Sequence, residues 1–90
     1  MDVKVKKGFL LKEMAGQWVL VQSEDATPDM NSIITLSASA AMLWRELEKG
    51  VDGLEHLANV LLSEYEIDYR TALRDSEDFT TQLKNNGMLE

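Results

Sequence analysis

The chain has 90 residues and no cysteine, a length that suits one domain and a composition that excludes disulfides, thiolate metal sites and cysteine nucleophiles. The formal net charge is −7, and most of the lysines lie within the first twelve residues, so the rest of the chain is strongly acidic. An acidic surface is either simply solvated or attracts a basic partner segment, and it repels the phosphate backbone of nucleic acids.

Targeting and membrane segments are not visible in the sequence. The start of the chain is too short and too polar for a signal peptide, and no apolar run approaches the ~20 residues of a membrane helix. We therefore expect a soluble, cytoplasmic protein that forms one domain over residues 1–90. We expect neither a membrane nor a nucleic acid as its partner.

The first part of the chain predicts strands. Segments 9–14 and 17–21 are rich in apolar, β-branched and aromatic residues and flank Ala15-Gly16, so they predict a β-hairpin. Residues 23–32, SEDATPDMNS, have the composition of a loop. The short run Ile-Ile-Thr-Leu at 33–36 predicts a third strand that leads directly into a helix.

The first predicted helix covers residues 37–49. Its apolar residues recur three and four positions apart, the spacing of one buried helix face. Ser37 is the expected N-cap, because its hydroxyl can accept a hydrogen bond from a free amide of the first turn. Gly50 is the expected stop, since glycine accepts the left-handed conformation after the last turn.

Two further helices complete the chain. Asp52 and Glu55 have the spacing of a capping box and predict the start of the second helix, and Asp68 predicts the N-cap of a third helix that ends at about Asn85. The predicted apolar face of the second helix comprises Leu54, Leu57, Ala58, Leu61 and Tyr65. The predicted core-facing line of the third helix comprises Ala72, Ser76, Phe79 and Leu83.

Three strands followed by three helices indicate an α+β fold, in which a small three-stranded antiparallel sheet packs on one side of the helices. The first two helices are separated by a short break at residues 50–53, as in a helix-turn-helix. With the hairpin attached, the predicted fold is winged-helix-turn-helix-like, and both tryptophans are expected in its core.

Patterns typical of catalytic or metal sites are missing from the sequence. His56 is the only histidine, and it has no cysteine or second histidine with which to form a metal site or a triad. The close glutamate pairs at 46/48 and 64/66 are two residues apart, a spacing at which side chains do not face each other on a helix. We therefore predict a non-enzymatic protein with no catalytic residue, no cofactor and no metal.

Two classes of function remain. A DNA-binding winged-helix regulator is one, but the second helix offers only His56, Asn59 and Ser63 among acidic residues, which is unfavourable for a phosphate surface. Peptide binding is the other, because a third strand at the sheet edge, next to the third helix, would have free amides and carbonyls to pair with an added strand. The loop 23–32 would equally well shield that edge, and the residues alone leave this alternative open.

The order and spacing of several short motifs carry a family resemblance that spans residues 9–90. These motifs are Leu36-Ser37, Ala40-Ala41, Trp44, Leu47, Gly50, Leu54 to Ala58, Glu64-Tyr65-Glu66-Ile67-Asp68, Asp75, Phe79, Leu83 and Gly87 to Glu90. The pattern resembles the PqqD-like proteins, the pyrroloquinoline quinone (PQQ) biosynthesis protein D family. Ser37 stands where the family often has asparagine, and the loop 23–32 is longer than usual.

The resemblance implies a peptide-recognition element of pathways that make ribosomally synthesised, modified peptides (RiPPs). Such domains act as chaperones or adaptors that hold the leader of a precursor peptide and present it to a modifying enzyme, often a radical S-adenosylmethionine (SAM) enzyme. The family also contains members unrelated to the quinone pathway. The expected partners are therefore a precursor leader peptide and a radical SAM or other peptide-modifying enzyme, with the protein itself a monomer or homodimer.

The resemblance also implies where the leader binds. In the family it typically adds as a strand beside the third strand, in the cleft against the third helix. Carried over by position, the expected strand contacts are Ser32, Ile33, Ile34, Thr35 and Leu36. The expected cleft wall consists of helix residues that point away from the core, namely Arg70, Leu73, Arg74, Glu77, Thr80, Thr81 and Lys84.

Overall fold

The computed structural model describes residues 3–22 and 34–90. Its elements, in chain order, are β1 (Phe9–Met14), β2 (Gln17–Gln22), β3 (Ile34–Leu36), α1 (Ala38–Lys49), α2 (Leu54–Glu64) and α3 (Tyr69–Asn85). The predicted α+β architecture, three strands followed by three helices, is confirmed. The predicted loop 23–32 and the predicted strand residue Ile33 lie outside the described residues.

The three strands form one antiparallel sheet in the order β1-β2-β3. Leu20 of β2 pairs with Ile34 of β3, and Trp18 pairs with Leu36. Because side chains alternate between the two faces of a strand, these four residues share the face that packs on the helices. Leu20 and Leu36 are buried there, whereas Thr35 points to the other face and is exposed.

The hairpin turn at Ala15-Gly16 is confirmed, with φ values of 52° and 79°. Positive φ at both central positions is the requirement of the type I′ turn, whose twist matches that of the flanking strands. The sequence predicted this conformation for Gly16 only. At Ala15 it brings Cβ too close to the following carbonyl oxygen, which costs about 1–2 kcal/mol in a non-glycine residue.

Replacing Ala15 with asparagine is expected to raise the free energy of unfolding by about 0.5–1 kcal/mol, because asparagine tolerates the left-handed conformation and Asn-Gly is the preferred type I′ pair. Urea denaturation followed by tryptophan fluorescence measures the change. Ala15→Val is the opposite control, since a β-branched side chain worsens the crowding. A midpoint for Ala15→Asn at or below that of the parent chain would contradict the expectation.

The caps of α1 and α3 are confirmed. The Ser37 hydroxyl accepts a hydrogen bond from the amide of Ala40 at 3.1 Å, and Gly50 follows α1 with a φ of 81°. The Asp68 carboxylate accepts from the amide of Thr71 at 2.7 Å. These bonds satisfy amides that have no partner within the helix, so both helices begin where the sequence predicts.

Two predictions for α2 are wrong. The capping box of Asp52 and Glu55 does not form, because α2 begins at Leu54 and its N-cap is Gly53, which has no side chain to accept a hydrogen bond. Tyr65 does not belong to the apolar face. It is the C-cap residue, its backbone is extended, and its side chain is 41% exposed, because the helix ends before the fourth apolar turn is reached.

The Asp68 carboxyl makes the stability of the fold depend on pH in the acidic range. Hydrogen bonds from the backbone amide and then from the hydroxyl of Thr71 stabilise its charged form and hold the pKa of its carboxyl below the ordinary range. A carboxyl whose pKa is lowered on folding stabilises the fold above its unfolded pKa of about 3.9, and that contribution is lost as the pH falls through the lowered value.

We therefore expect Asp68→Ala to lower the urea midpoint at pH 7 and to lower it less as the pH falls below about 4. Asp68→Asn retains a capping oxygen but has no charge, so it isolates the part that titrates. Urea titrations of the parent chain and the two variants between pH 7 and pH 2.5 measure the contribution of the capping bond and that of the charge. A deficit for Asp68→Ala that stays constant over this range would exclude the carboxylate as its source.

The core joins the inner face of the sheet to all three helices. Trp44 of α1 is at its centre, 1% exposed, and its ring meets that of Phe9 edge-on with centroids 6.3 Å apart. Trp18 is half-buried, with the Arg45 guanidinium 4.6 Å from its ring centroid. The residues of the predicted line on α3 are all buried, namely Ala72, Ser76, Phe79 and Leu83. The buried Ser76 hydroxyl donates to the carbonyl of Ala72 at 2.8 Å, so it carries no unpaired donor into the core.

The N-terminal segment ties distant parts of the chain together, a feature that the sequence analysis missed. Val3 exchanges two backbone hydrogen bonds with Val51, in the link between α1 and α2, at 2.8 and 3.0 Å. Val5 forms an isolated antiparallel bridge with Leu89, beyond the end of α3. The alternation of valine and lysine from Val3 onward has period two and is the sequence feature that indicates this extended segment.

Candidate functional site

The free edge of β3 is the first part of the candidate site. β3 pairs with β2 on one side, and no strand within residues 3–22 and 34–90 pairs with its other side. Three of the five strand residues expected to contact a peptide, Ile34, Thr35 and Leu36, form this strand. The other two, Ser32 and Ile33, lie outside the described residues. An edge strand of this kind presents alternate amides and carbonyls that can pair with a further strand.

A groove begins where β3 ends, and we call it the α1–α3 groove. Ser37, which directly follows β3, lies at its mouth, and the start of α1 and one flank of α3 form its walls. Its volume is about 240 Å³. The residues that line it are Ser37, Ser39, Ala40, Leu43, Leu61, Asp75, Asp78, Phe79 and Gln82. Pockets for drug-sized ligands usually measure about 300–1,000 Å³, so this groove suits single side chains better than a cofactor.

The floor and the rim of the α1–α3 groove differ in chemistry. The floor is apolar, because Leu43, Leu61 and Phe79 are buried members of the core. On the rim, Asp75 and Asp78 are exposed carboxylates of α3, and neither forms an ion pair with any residue in the described part of the chain. Such a groove can receive an apolar side chain and, at its edge, a positive charge.

None of the seven α3 residues predicted for the cleft wall lines this groove. Thr80 is buried and donates to the carbonyl of Glu77, whereas Leu73 lines a separate cavity of about 640 Å³ beside the start of α2. The remaining residues are exposed on the solvent side of α3, namely Arg70, Arg74, Glu77, Thr81 and Lys84. These seven residues therefore remain a prediction, and the α1–α3 groove is formed by the neighbouring flank of α3.

The predicted wall residues and the residues that line the groove differ by a rotation of about one residue. Asp75, Asp78 and Gln82 each follow a predicted residue, at positions 74, 77 and 81, by one position. One residue turns an α-helix by 100°, enough to move a side chain from the solvent side to the flank of the groove. The sequence feature that indicates two of them is spacing, because Asp75 and Gln82 each follow a member of the buried line of α3, Ala72 and Phe79, by three residues.

Residues 3–22 and 34–90 contain no group of three or more His, Asp or Glu side chains placed to hold a metal ion. His56 is exposed, and its Nε2 lies 3.3 Å from a carboxylate oxygen of Glu46. Within the same residues, none of the helices has the length and apolarity that crossing a membrane requires.

Comparison with known proteins bears on both the fold and the site. The sequence matches the family model of Coenzyme PQQ synthesis protein D (PqqD) over residues 17–89. The chain belongs to the PqqD family. This match includes β2, β3 and all three helices, and therefore both parts of the candidate site, and it confirms the resemblance carried by the sequence motifs.

Two solved structures share this PqqD fold. One is a lasso peptide synthetase B1 complexed with the leader peptide, which is 24% identical with a TM-score of 0.73 over 98% of this chain and 96% of that chain. The other is TbiB1 in complex with the TbiA(beta) leader peptide, which is 25% identical with a TM-score of 0.73 over 97% of this chain and 94% of that chain. No curated protein matches the chain.

Proposed function

We propose that this PqqD-family protein is a non-catalytic module that captures the leader of a precursor peptide by strand addition. The observation that carries the proposal is the outer edge of β3, which pairs with no strand of residues 3–22 and 34–90 and adjoins a groove with an apolar floor. In strand addition, main-chain hydrogen bonds provide affinity, and pockets beside the strand select side chains. The two similar structures support the proposal, because each is described as a complex with a leader peptide.

The expected strand partners within the described chain are Ile34, Thr35 and Leu36, and we propose the α1–α3 groove as the place where side chains of the leader are selected. β3 is three residues long, so it spans about 10 Å and pairs with a short part of a leader. A leader that continues past Leu36 reaches Ser37 and the groove. In this proposal the backbone of the leader pairs with β3, and the side chains that follow are selected by the α1–α3 groove.

We propose further that the bound leader is presented to a peptide-modifying enzyme in the cytoplasm, where ribosomes make the precursor. A radical SAM enzyme is one candidate partner. The protein itself contributes no chemical step in this proposal. The proposal requires neither a monomer nor a homodimer, because one chain contains both the β3 edge and the groove.

The DNA-binding alternative finds no support in the described residues. Glu55 and Glu64 are exposed on α2, and Asp75 and Asp78 are exposed on α3, the helices that a winged-helix regulator would place against DNA. Proteins that bind DNA neutralise several phosphates with lysine or arginine, and these carboxylates would oppose that.

Titration of labelled leader segments separates the two functions. The probes are the leader segments of short open reading frames near the gene, and fluorescence anisotropy measures their binding to the protein. We expect a saturable change with one leader and none with a scrambled version of it, while labelled duplex DNA gives no change at low salt. Absence of binding by every such leader, or retention of DNA that falls steeply with salt, would overturn the proposal.

A further inference from the structure

We infer that the leader recognised by this protein carries a lysine or arginine next to an apolar residue, and that Asp75 and Asp78 select the positive charge. The inference rests on the proposed function, because it names the kind of peptide that the same site accepts. The apolar residue would occupy the floor of the α1–α3 groove, formed by Leu43, Leu61 and Phe79. The basic side chain would meet the rim.

Neither carboxylate on the rim forms an ion pair within the described residues, although Arg74 precedes Asp75 directly on α3. Asp75 and Asp78 lie on α3, one turn apart, and both line the groove. Ion pairs within the described residues involve Glu46 with Lys49 and with His56, and they leave both aspartates free. Two carboxylates beside an apolar floor repel acidic segments and lower the energy of a lysine or arginine placed between them.

The N-terminus of α1 lies at the same groove and contributes a partial positive charge, which opposes the negative charge of the aspartates. A helix N-terminus carries about half a positive charge, and its effect falls off within the first turn. No acidic side chain occupies the first turn of α1, so this partial charge is not locally neutralised. Half a positive charge is nevertheless small against two full negative charges on Asp75 and Asp78, and the net preference of the groove is for a cation.

The surrounding charge of the protein strengthens the same preference. The formal net charge is −7, and four of the lysines that offset the acids lie at Lys4, Lys6, Lys7 and Lys12 in the N-terminal segment and β1. The acidic remainder includes the whole of the α1–α3 groove. Basic peptides would therefore associate faster than acidic ones, and salt would reduce the difference.

Selection from random peptides tests the inference without knowledge of the natural leader. The probe is a library of random linear dodecapeptides displayed on phage, selected in parallel on three immobilised proteins. They are the parent chain, the Asp75→Asn/Asp78→Asn variant, and a Glu13→Gln/Glu48→Gln control that removes two negative charges elsewhere. All four replaced side chains are exposed and each substitution keeps its shape, so we expect the three proteins to have similar thermal midpoints.

We expect enrichment of lysine and arginine beside apolar residues on the parent chain and on the control, and loss of that enrichment on Asp75→Asn/Asp78→Asn. A synthetic copy of a selected peptide should bind the groove variant about tenfold more weakly by fluorescence anisotropy, with a shallower salt dependence. Replacing its lysine with glutamine should weaken binding to the parent chain by a similar factor.

Three results would overturn the inference, and they differ in what they say of the proposed function. If the selected peptides show no preference for basic residues, the inference is wrong. The same holds if the preference persists on Asp75→Asn/Asp78→Asn. Neither result contradicts strand addition. Failure of the parent chain to select any peptide removes both. A dimer in light scattering that becomes a monomer in Asp75→Asn/Asp78→Asn would assign the groove to a second copy of this chain.

Discussion

Replacing Trp44 with alanine is expected to lower the free energy of unfolding by about 3–5 kcal/mol, the range for removal of a buried tryptophan or phenylalanine side chain. Trp44 is 1% exposed and is the largest fully buried side chain of the described residues. Small domains have little reserve, with total stabilities of about 5–15 kcal/mol. The variant should therefore be partly or wholly unfolded at 37 °C, which circular dichroism and thermal denaturation will measure.

Trp44→Phe is the matched control. It retains an aromatic ring near Phe9 and removes the indole Nε1, a buried donor that has no hydrogen-bond partner among the described residues. An unsatisfied buried donor costs about 1–3 kcal/mol, so its removal offsets part of the loss of packing. We expect Trp44→Phe to lose less than half of what Trp44→Ala loses. Equal losses would show that ring volume outweighs the unpaired donor.

The fold could be predicted because its boundaries are set by local chemistry. Ser37 and Asp68 supply capping oxygens at the starts of α1 and α3, and Gly16 and Gly50 occupy positions of positive φ. These residues act on neighbours within four positions, so their effect is visible in the sequence. α2 was placed less accurately because its N-cap, Gly53, stabilises the helix without a side-chain bond that sequence could reveal.

The candidate site could be predicted in part, for a different physical reason. The edge position of β3 follows from a hairpin and one short strand, an order that leaves the last strand unpaired on one side within the described part of the chain. To predict which residues of α3 line the groove, one would need to know how this helix is rotated about its axis. The sequence marks the buried side of that helix clearly but does not say which of its two flanks faces the start of α1, where Asp75 and Asp78 lie.

The N-terminal segment could not be placed from sequence, because its partners are far away along the chain. Val3 bonds to Val51, and Val5 bridges to Leu89. The period-two pattern identifies an extended segment, but no feature of the neighbouring sequence indicates which residues that segment pairs with. Non-local pairing of this kind depends on the packed arrangement of the helices, which exists only once the core has formed.

Replacing Thr35 with proline is expected to weaken binding of the leader about tenfold or more while changing the urea midpoint little. Among the described residues β3 is an edge strand, where proline is tolerated at a residue whose amide faces away from the neighbouring strand. When a leader pairs with its outer side, β3 becomes an internal strand, and an internal strand cannot accommodate a residue that lacks the amide donor. A hydrogen bond contributes about 0.5–1.5 kcal/mol, and 1.4 kcal/mol corresponds to a tenfold change in affinity.

Backbone methylation of the leader tests the same pairing without altering the protein. Neighbouring residues of a strand direct their amides to opposite sides, so only alternate amides of an added strand face β3. We expect single N-methyl groups along the leader to weaken binding at every second position, over a stretch matching the three residues of β3, Ile34 to Leu36. If methylation at all positions leaves the anisotropy titration unchanged, the leader does not pair with this edge, and a weakened Thr35→Pro variant would then report a damaged sheet.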